Sequence, residues 1–300
     1  MGGSPPKGED IGSFVRSHEN DTEQNQTRFD CFDSLNKLAE YTSDQEETEN
    51  NKGAEQDGKG KGAEPEKVSS SGINVHTNLE EKKQINEILR DSSNKILEFR
   101  LRGNRCYDEG NFVKAEELYT KGITCLQANE RSYCLQALAL CYSNRAAARM
   151  SLLKLRDAIE DCRSAMDSDH NFSKAQIRAG HCHLQLGELK NAMEFFEKYL
   201  ATVNVDCLDK KVTLHAVEGQ QNTQKVAQYI EQSMELLAQK STDAVASALE
   251  LISKALAIAP YSERLLRMKA ESLIMLEKHA EAIVLCEQTF SFAENNFPIN

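Results

Sequence analysis

No stretch of this 300-residue chain approaches the 18 consecutive apolar residues that a membrane-spanning helix needs. The opening MGGSPPKGED lacks the apolar region of a secretory signal, and Pro6 stands where an N-myristoylation signal wants Ser or Thr. Nine cysteines, an odd number without paired short spacings, do not make a disulfide framework. They fit a reducing compartment and small buried core positions. Glycine-rich phosphate loops are missing as well, because GKGKG and GQQN lack the strand and helix context such loops need. The expectation is a soluble intracellular chain, cytoplasmic or nuclear, with no cofactor. Neither Gly nor Pro occurs from Ile123 to Ala179, which points to long uninterrupted helices there.

Charge is unevenly spread. Residues 1–80 hold 17 acids against 8 bases, whereas the remainder holds 30 against 28. Most of the net −11 therefore belongs to a Gly-, Ser-, Asn- and Glu-rich tail, and 1–90 is expected to be a disordered acidic region. An acidic tail and a near-neutral remainder disfavour nucleic acid and anionic membrane as partners. Within the tail, Phe29, Phe32, Leu35 and Leu38 fall at helical steps of three, a candidate docking segment for a partner protein.

What is present is a repeat. Asp157-Ala158-Ile159 and Asn191-Ala192-Met193 lie 34 residues apart, the tetratricopeptide (TPR) period, and a third copy centres on Ala115. The first unit is nine residues longer than the period, and its extra residues are expected to lengthen two facing helices. Ile96, Phe99, Gly103 and Cys106 share one helical stripe, and Phe112, Ala115, Leu118, Tyr119 and Ile123 line the next. Tyr142, Ala146, Ala158, Ile159, Cys162 and Ala165 repeat the pattern, as do Gly180, His183, Ala192, Phe196 and Tyr199. Gly110 and Gly187 mark turns within units. Ala248 and Ala282 are again 34 apart, with Pro260 closing a helix between them. The reading is all-α: a TPR solenoid in two arrays, 91–205 with about three repeats and 223–300 with about two. Residues 206–222 form a linker or helix extension with a hinge, and the second array is apparently incomplete at Asn300.

Enzymatic chemistry finds little support. His181 and His183 point about 200° apart on a helix and cannot share a metal ion. Cys162 and Cys182 fall on core faces where thiols are inert. Glu116-Glu117 and Glu160-Asp161 are expected on outward faces without an apolar pocket to raise a carboxyl pKa. No catalytic residue and no metal site are assigned.

A candidate binding site does emerge. Arg100 and Asn104 are four apart on the first helix of unit one, Lys174 and Arg178 are four apart on that of unit three, and Asn144 lies on the equivalent helix of unit two. First helices line the concave face of such solenoids, so all five can reach one groove. RLRGNRCYDEGNFVKAEELYTKGI, YSNRAAARMSLLKLRDAIEDC and KAQIRAGHCHLQLGELKNAMEFFEKYL resemble the TPR domains of chaperone cofactors. That resemblance implies a two-carboxylate clamp for the C-terminal Glu-Glu-Val-Asp of the 70-kDa and 90-kDa heat-shock chaperones. Asn104, Asn144, Lys174 and Arg178 match the clamp, and Arg100 stands where the family usually has Lys, a change that keeps charge but alters the contacts. From residue 94 onward the chain is similar to TPR-containing J-domain co-chaperones, especially the large plant type, but no His-Pro-Asp tripeptide occurs in it. The J-domain activity is therefore not assigned to these 300 residues.

Three readings follow. The first is a non-enzymatic adaptor or co-chaperone that binds chaperone C-termini and engages a second protein through the second array or the tail. Another is a TPR scaffold that reads a peptide without a free carboxylate. The third, an enzyme subunit with cysteine or metal chemistry, has the least behind it.

Overall fold

The computed structural model describes residues 72–170, 172–202 and 210–296, with backbone alone for 72–89. The Phe29, Phe32, Leu35, Leu38 segment and the rest of 1–71 lie outside the described residues. Every described element is helical. In chain order these are α1 Gly72–Asp108, α2 Phe112–Thr124, α3 Ala128–Arg131, α4 Leu135–Ser151, α5 Leu155–Ser168, α6 Ser173–Gln185, α7 Leu189–Thr202, α8 Lys210–Ala238, α9 Thr242–Ile258, α10 Glu263–Met275 and α11 His279–Asn296.

Antiparallel pairs α1/α2, α4/α5, α6/α7, α8/α9 and α10/α11 are the repeats, and each second helix packs on the first helix of the next repeat, α2 on α4 past the short α3. The first helices α1, α4, α6 and α8 also lie side by side in one row. Two glycines let the pairs close. A Cβ at Gly103 would stand 2.5 Å from the Tyr119 ring, and one at Gly180 would stand 2.7 Å from Phe196. Ala115, Ala158, Ala192 and Ala248 are fully buried at the equivalent place on each second helix. All five turns between paired helices carry a residue with positive φ: Gly110, Leu153, Gly187, Lys240 and Glu277. That left-handed residue ends each first helix and reverses the chain. Only two of the five are glycine, so glycine alone does not mark the repeat.

Three expectations need correction. Residues 72–90 were assigned to the disordered region, but α1 begins at Gly72. The extra residues of the first unit do not lengthen two facing helices. One helix, α4, is longer, at 17 residues against 13 for α6, and the rest make α3 and its flanking turns, closed by a reciprocal bond in which Glu130 accepts from the Gln127 N–H at 3.0 Å. Arg131 then ties this turn down by donating to Ile123 O at 3.1 Å and Tyr142 Oη at 2.9 Å. The third correction concerns only the hinge expected within 206–222, because from Lys210 onward α8 runs unbroken through Gly219, in line with the alternative of a helix extension. Here glycine is a space, not a breaker: a Cβ at Gly219 would stand 2.3 Å from Phe196. Phe196 is thus held between Gly180 on α6 and Gly219 on α8. Val212 and Ala216, buried on the same stretch, extend the core of α6 and α7, while Val226 and Ile230 continue it to Ile252 on α9. One helix therefore serves both arrays.

The second array does not stand apart from the first. The Tyr261 N–H donates to Gln185 O at 3.0 Å, and a Cβ at Gly187 would meet the Ser262 side chain. Tyr261 and Phe292 stack with centroids 4.0 Å apart and join the core of units two and three, beside Leu155, Cys162 and Leu186. Asn296 completes the seam. Its Oδ1 accepts from the Arg156 N–H at 3.2 Å and its Nδ2 donates to Leu153 O at 2.8 Å, so it caps the α4/α5 turn.

Candidate functional site

The row formed by α1, α4 and α6 carries all five sequence-derived site residues. Asn104 and Asn144 meet directly: Asn144 Nδ2 donates to Asn104 Oδ1 at 3.0 Å, and Tyr119 Oη donates to the same oxygen at 2.9 Å. With both lone pairs of that oxygen engaged, the two N–H donors of Asn104 Nδ2 are what the half-buried side chain has left to offer. Tyr119, which sequence reasoning placed only in the core, is therefore also a positioning residue. Burial pushes its hydroxyl pKa up, so it remains the donor that fixes the amide.

Arg178 is buried and reaches back to α4, where its Nη1 donates to Ser143 O at 3.2 Å and also to Ser143 Oγ. Its Nη2 is buried without a hydrogen-bond partner. Ser143 was missed by sequence reasoning, since a serine beside the matched Asn carries no signal of its own. Arg100 is also buried, on the stripe of α1 next to Asn104, and Lys174 is half-buried one turn before Arg178. The two stitches, Asn104 to Asn144 and Ser143 to Arg178, cross both helix interfaces of the row. The result is a row of N–H donors on rigid helices, with three cations and two amides.

The opposite sign collects elsewhere. Asp161 is buried, contrary to the outward placement expected for it. It accepts from Arg145 Nη2 at 2.6 Å, Arg145 Nε at 2.9 Å and Arg149 Nη1 at 2.9 Å. Arg149 also binds Glu116, as does Lys154 at 2.7 Å. Burial works against charge on Glu116, but the Lys154 and Arg149 bonds hold its carboxyl below the ordinary value. This network joins α2, α4 and α5, fixing unit one on unit two.

The histidines of α6 separate as their spacing requires. His183 Nδ1 donates to Glu188 Oε2 at 2.5 Å and the ring stacks on Phe195, whereas His181 packs edge-on to Phe196 and faces His215. Among the described residues, no group of three His, Cys, Asp or Glu side chains is placed to hold a metal ion. Burial pushes the Cys162 thiol up to about 12 and raises Cys182 as well, which keeps both protonated at neutral pH. No described helix is long and apolar enough to cross a membrane.

No protein-family model matches the chain. It is similar to DnaJ homolog subfamily C member 7 of Mus musculus, 30% identical over 192 residues, which is 64% of this chain and 35% of that protein. A second likeness is to heat shock protein STI1 of Saccharomyces cerevisiae, 32% identical over 103 residues, 34% of this chain and 16% of that protein. The matched region spans about a third of the length of the mouse protein. Among solved structures, the TPR domain of P58(IPK) superposes with a TM-score of 0.52 at 15% identity, covering 68% of this chain and 51% of that one. At that identity the likeness speaks to fold. The chain is a TPR helical solenoid, similar in sequence over part of its length to a DnaJ homolog and to a heat shock protein.

Proposed function

We propose that this chain is a non-enzymatic, cytoplasmic co-chaperone adaptor whose α1, α4, α6 row binds the acidic C-terminal peptide of a 70-kDa or 90-kDa heat-shock chaperone. One observation carries the reading. Asn104 Oδ1 already accepts two bonds, so the amide pair and its three cationic neighbours present donors and no free carboxylate. Such a surface suits an anion with several oxygens, and a C-terminal Asp brings two carboxylates. The buried Arg178 Nη2 has no hydrogen-bond partner, so a ligand oxygen that displaced its cover would satisfy a donor otherwise left unmade. Sequence similarity to the mouse DnaJ protein and to yeast STI1 supports the same class of partner. Charge-assisted bonds contribute about 1.5 to 3 kcal/mol each, but association and ordering offset much of that, leaving micromolar affinity, about −8 kcal/mol.

Because the second array shares its core with the first, the test uses the full chain. Titration calorimetry with a decapeptide ending in Glu-Glu-Val-Asp gives micromolar binding, lost with the C-terminal amide of the same peptide. Asn104→Asp keeps the bonds from Tyr119 and Asn144 but replaces the N–H donors with a carboxylate oxygen, and it abolishes binding without unfolding the protein. Lys174→Glu does the same. Equal binding of acid and amide would overturn the clamp and favour a scaffold that reads an internal peptide segment.

A further inference from the structure

The extra length of the first unit gives the binding row an apolar end. Ser93 Oγ and Cys134 Sγ are 3.4 Å apart, and Asn144 Nδ2 reaches Asn104 Oδ1 at 3.0 Å, so α1 and α4 keep one register along this stretch. On α1, Leu97 and Leu101 lead to Asn104 at steps of four and three, which places all three on one face. On α4, Ala137 and Leu140 lead to Asn144 at steps of three and four. Leu97 and Leu101 are exposed, Ala137 and Leu140 are half-buried, and Tyr133 beside Cys134 is 66% exposed. Four residues of helix rise about 6 Å and seven about 10 Å, so this apolar shelf adjoins the amide pair. The third unit has no counterpart, because α4 starts at Leu135, nine residues before Asn144, and α6 at Ser173, only five before Arg178.

The chain itself carries an occupant with matching chemistry. Phe29, Phe32, Leu35 and Leu38 supply apolar side chains at steps of three, and Asp44, Glu46, Glu47 and Glu49 follow them. Apolar groups and then carboxylates are what the shelf and the adjoining Arg100, Lys174 and Arg178 take up, in neighbouring places. Reach is sufficient. The helix α1 rises about 37 Å from Gly72 to Leu97, and residues 39–71 can span up to about 110 Å. Being tethered, the segment meets the groove at a high local concentration without any free ligand. We propose that residues 29–49 dock on the groove of their own chain, with the apolar side chains on Leu97 and Leu101 and the carboxylates toward Lys174. An acidic peptide then has to displace them. The docking itself needs only the shelf and its cationic neighbours, whereas the competition with a chaperone C-terminus rests on the function proposed above. An internal segment brings no terminal carboxylate, so the chaperone peptide is the stronger ligand of the clamp and opens the groove by exchange.

Photo-cross-linking from p-benzoylphenylalanine in place of Phe32 tests the contact in the full chain with no chaperone peptide present. Peptide mapping of the monomeric product should find adducts around Leu97, Leu101 or Leu140, at a yield independent of protein concentration. The double variant Leu97→Gln, Leu101→Gln should remove them. Both leucines are exposed, so that variant keeps the helical circular dichroism of the parent. Calorimetry with the decapeptide ending in Glu-Glu-Val-Asp tests the competition. Changing Glu46, Glu47 and Glu49 together to Gln should tighten its binding about fivefold, the gain for a groove open one fifth of the time. Adducts at the shelf with no peptide binding in any variant would keep the docking and sink the chaperone reading. Adducts that survive Leu97→Gln, Leu101→Gln, or that form only between chains, would overturn the docking. Peptide affinity unchanged by the three Gln substitutions would overturn the competition.

Discussion

The middle repeats of the first array and the last repeat of the chain are built on the same hairpin, yet they turn it to different ends. In α4 and α6 the residues at one place before the turn are Asn144 and Arg178, polar groups held in the row by bonds to α1 and α4. Counted back equally from its turn, α10 has Met268, which is buried in the shared core. Repeats two and three therefore place a polar group of the candidate site at that position, and the last repeat places a core methionine there. A solenoid with nearest-neighbour packing tolerates such a switch because each hairpin needs only its own closing contact and its neighbours. Fold and candidate site are consequently separable at the level of single residues: Gly103 and Gly180 close the hairpins, and Asn144 and Lys174 belong to the proposed binding row.

The sharpest way to break the comparison is to separate the two arrays at their common residue. Gly219→Val places a branched side chain against a Phe196 ring that already fills the space, and overpacking of this kind costs about 3 kcal/mol or more. Urea unfolding followed by circular dichroism should show that loss. Ala at the same site should cost less, since it adds no branch.

Acid offers the next largest effect, and it distinguishes two histidines on one helix. The His183 hydrogen bond holds the Glu188 carboxyl down to about 2, with burial opposing and Arg156 reinforcing. The folded value lies below the ordinary 4.5, so the stabilisation is complete above pH 4.5 and disappears as pH falls toward 2. Glu188→Gln should flatten the fall in stability across that window and cost about 1 to 3 kcal/mol at neutral pH. His181 acts in a higher window. Burial, with His215 nearby, pushes it down to about 4 from 6.5, so stability falls as pH drops from 6.5 through 4 and the buried ring must charge. His181→Phe should remove that component, seen in denaturation midpoints at pH 7 and pH 5.

A smaller effect is expected at the seam between the last unit and the second. Asn296→Ala removes two bonds to the α4/α5 turn and should cost about 1 to 2 kcal/mol, with faster amide exchange at Arg156. Smallest are the turns. Lys240 and Glu277 hold left-handed backbone that Gly110 and Gly187 adopt freely, so Lys240→Gly and Glu277→Gly should each raise stability by at most about 1 kcal/mol in thermal melts.

These contrasts explain what could be read from residues alone. Helical stripes and the 34-residue spacing identify the hairpins because apolar periodicity reports burial directly. Turns were legible where the left-handed residue is Gly187 and silent where it is Leu153, whose side chain gives no sign of its backbone. Gly219 misleads for the opposite reason: its scarcity of atoms serves a neighbouring ring and says nothing about where the helix stops. The insertion in unit one contains no glycine or proline and so reads as continuous helix, although a capping pair and Arg131 fold it into a turn. At the site, residue types and offsets pick out the amides and cations. They do not disclose Tyr119 as the group that orients Asn104, because its ring satisfies the core pattern and its hydroxyl adds a second role. Asp161 eluded the pattern because a carboxylate can be buried when two arginines accompany it.

The continuity of α8 has an evolutionary consequence. At 29 residues it is a single rod about 43 Å long, with its first half in one array and its second half in the next. Modular proteins diversify by exchanging cassettes at linkers, but no cut through this rod leaves both halves with a closed core. Exchanging one array of this chain for another would therefore mean replacing α8 as well, together with the core it shares with α7 and α9.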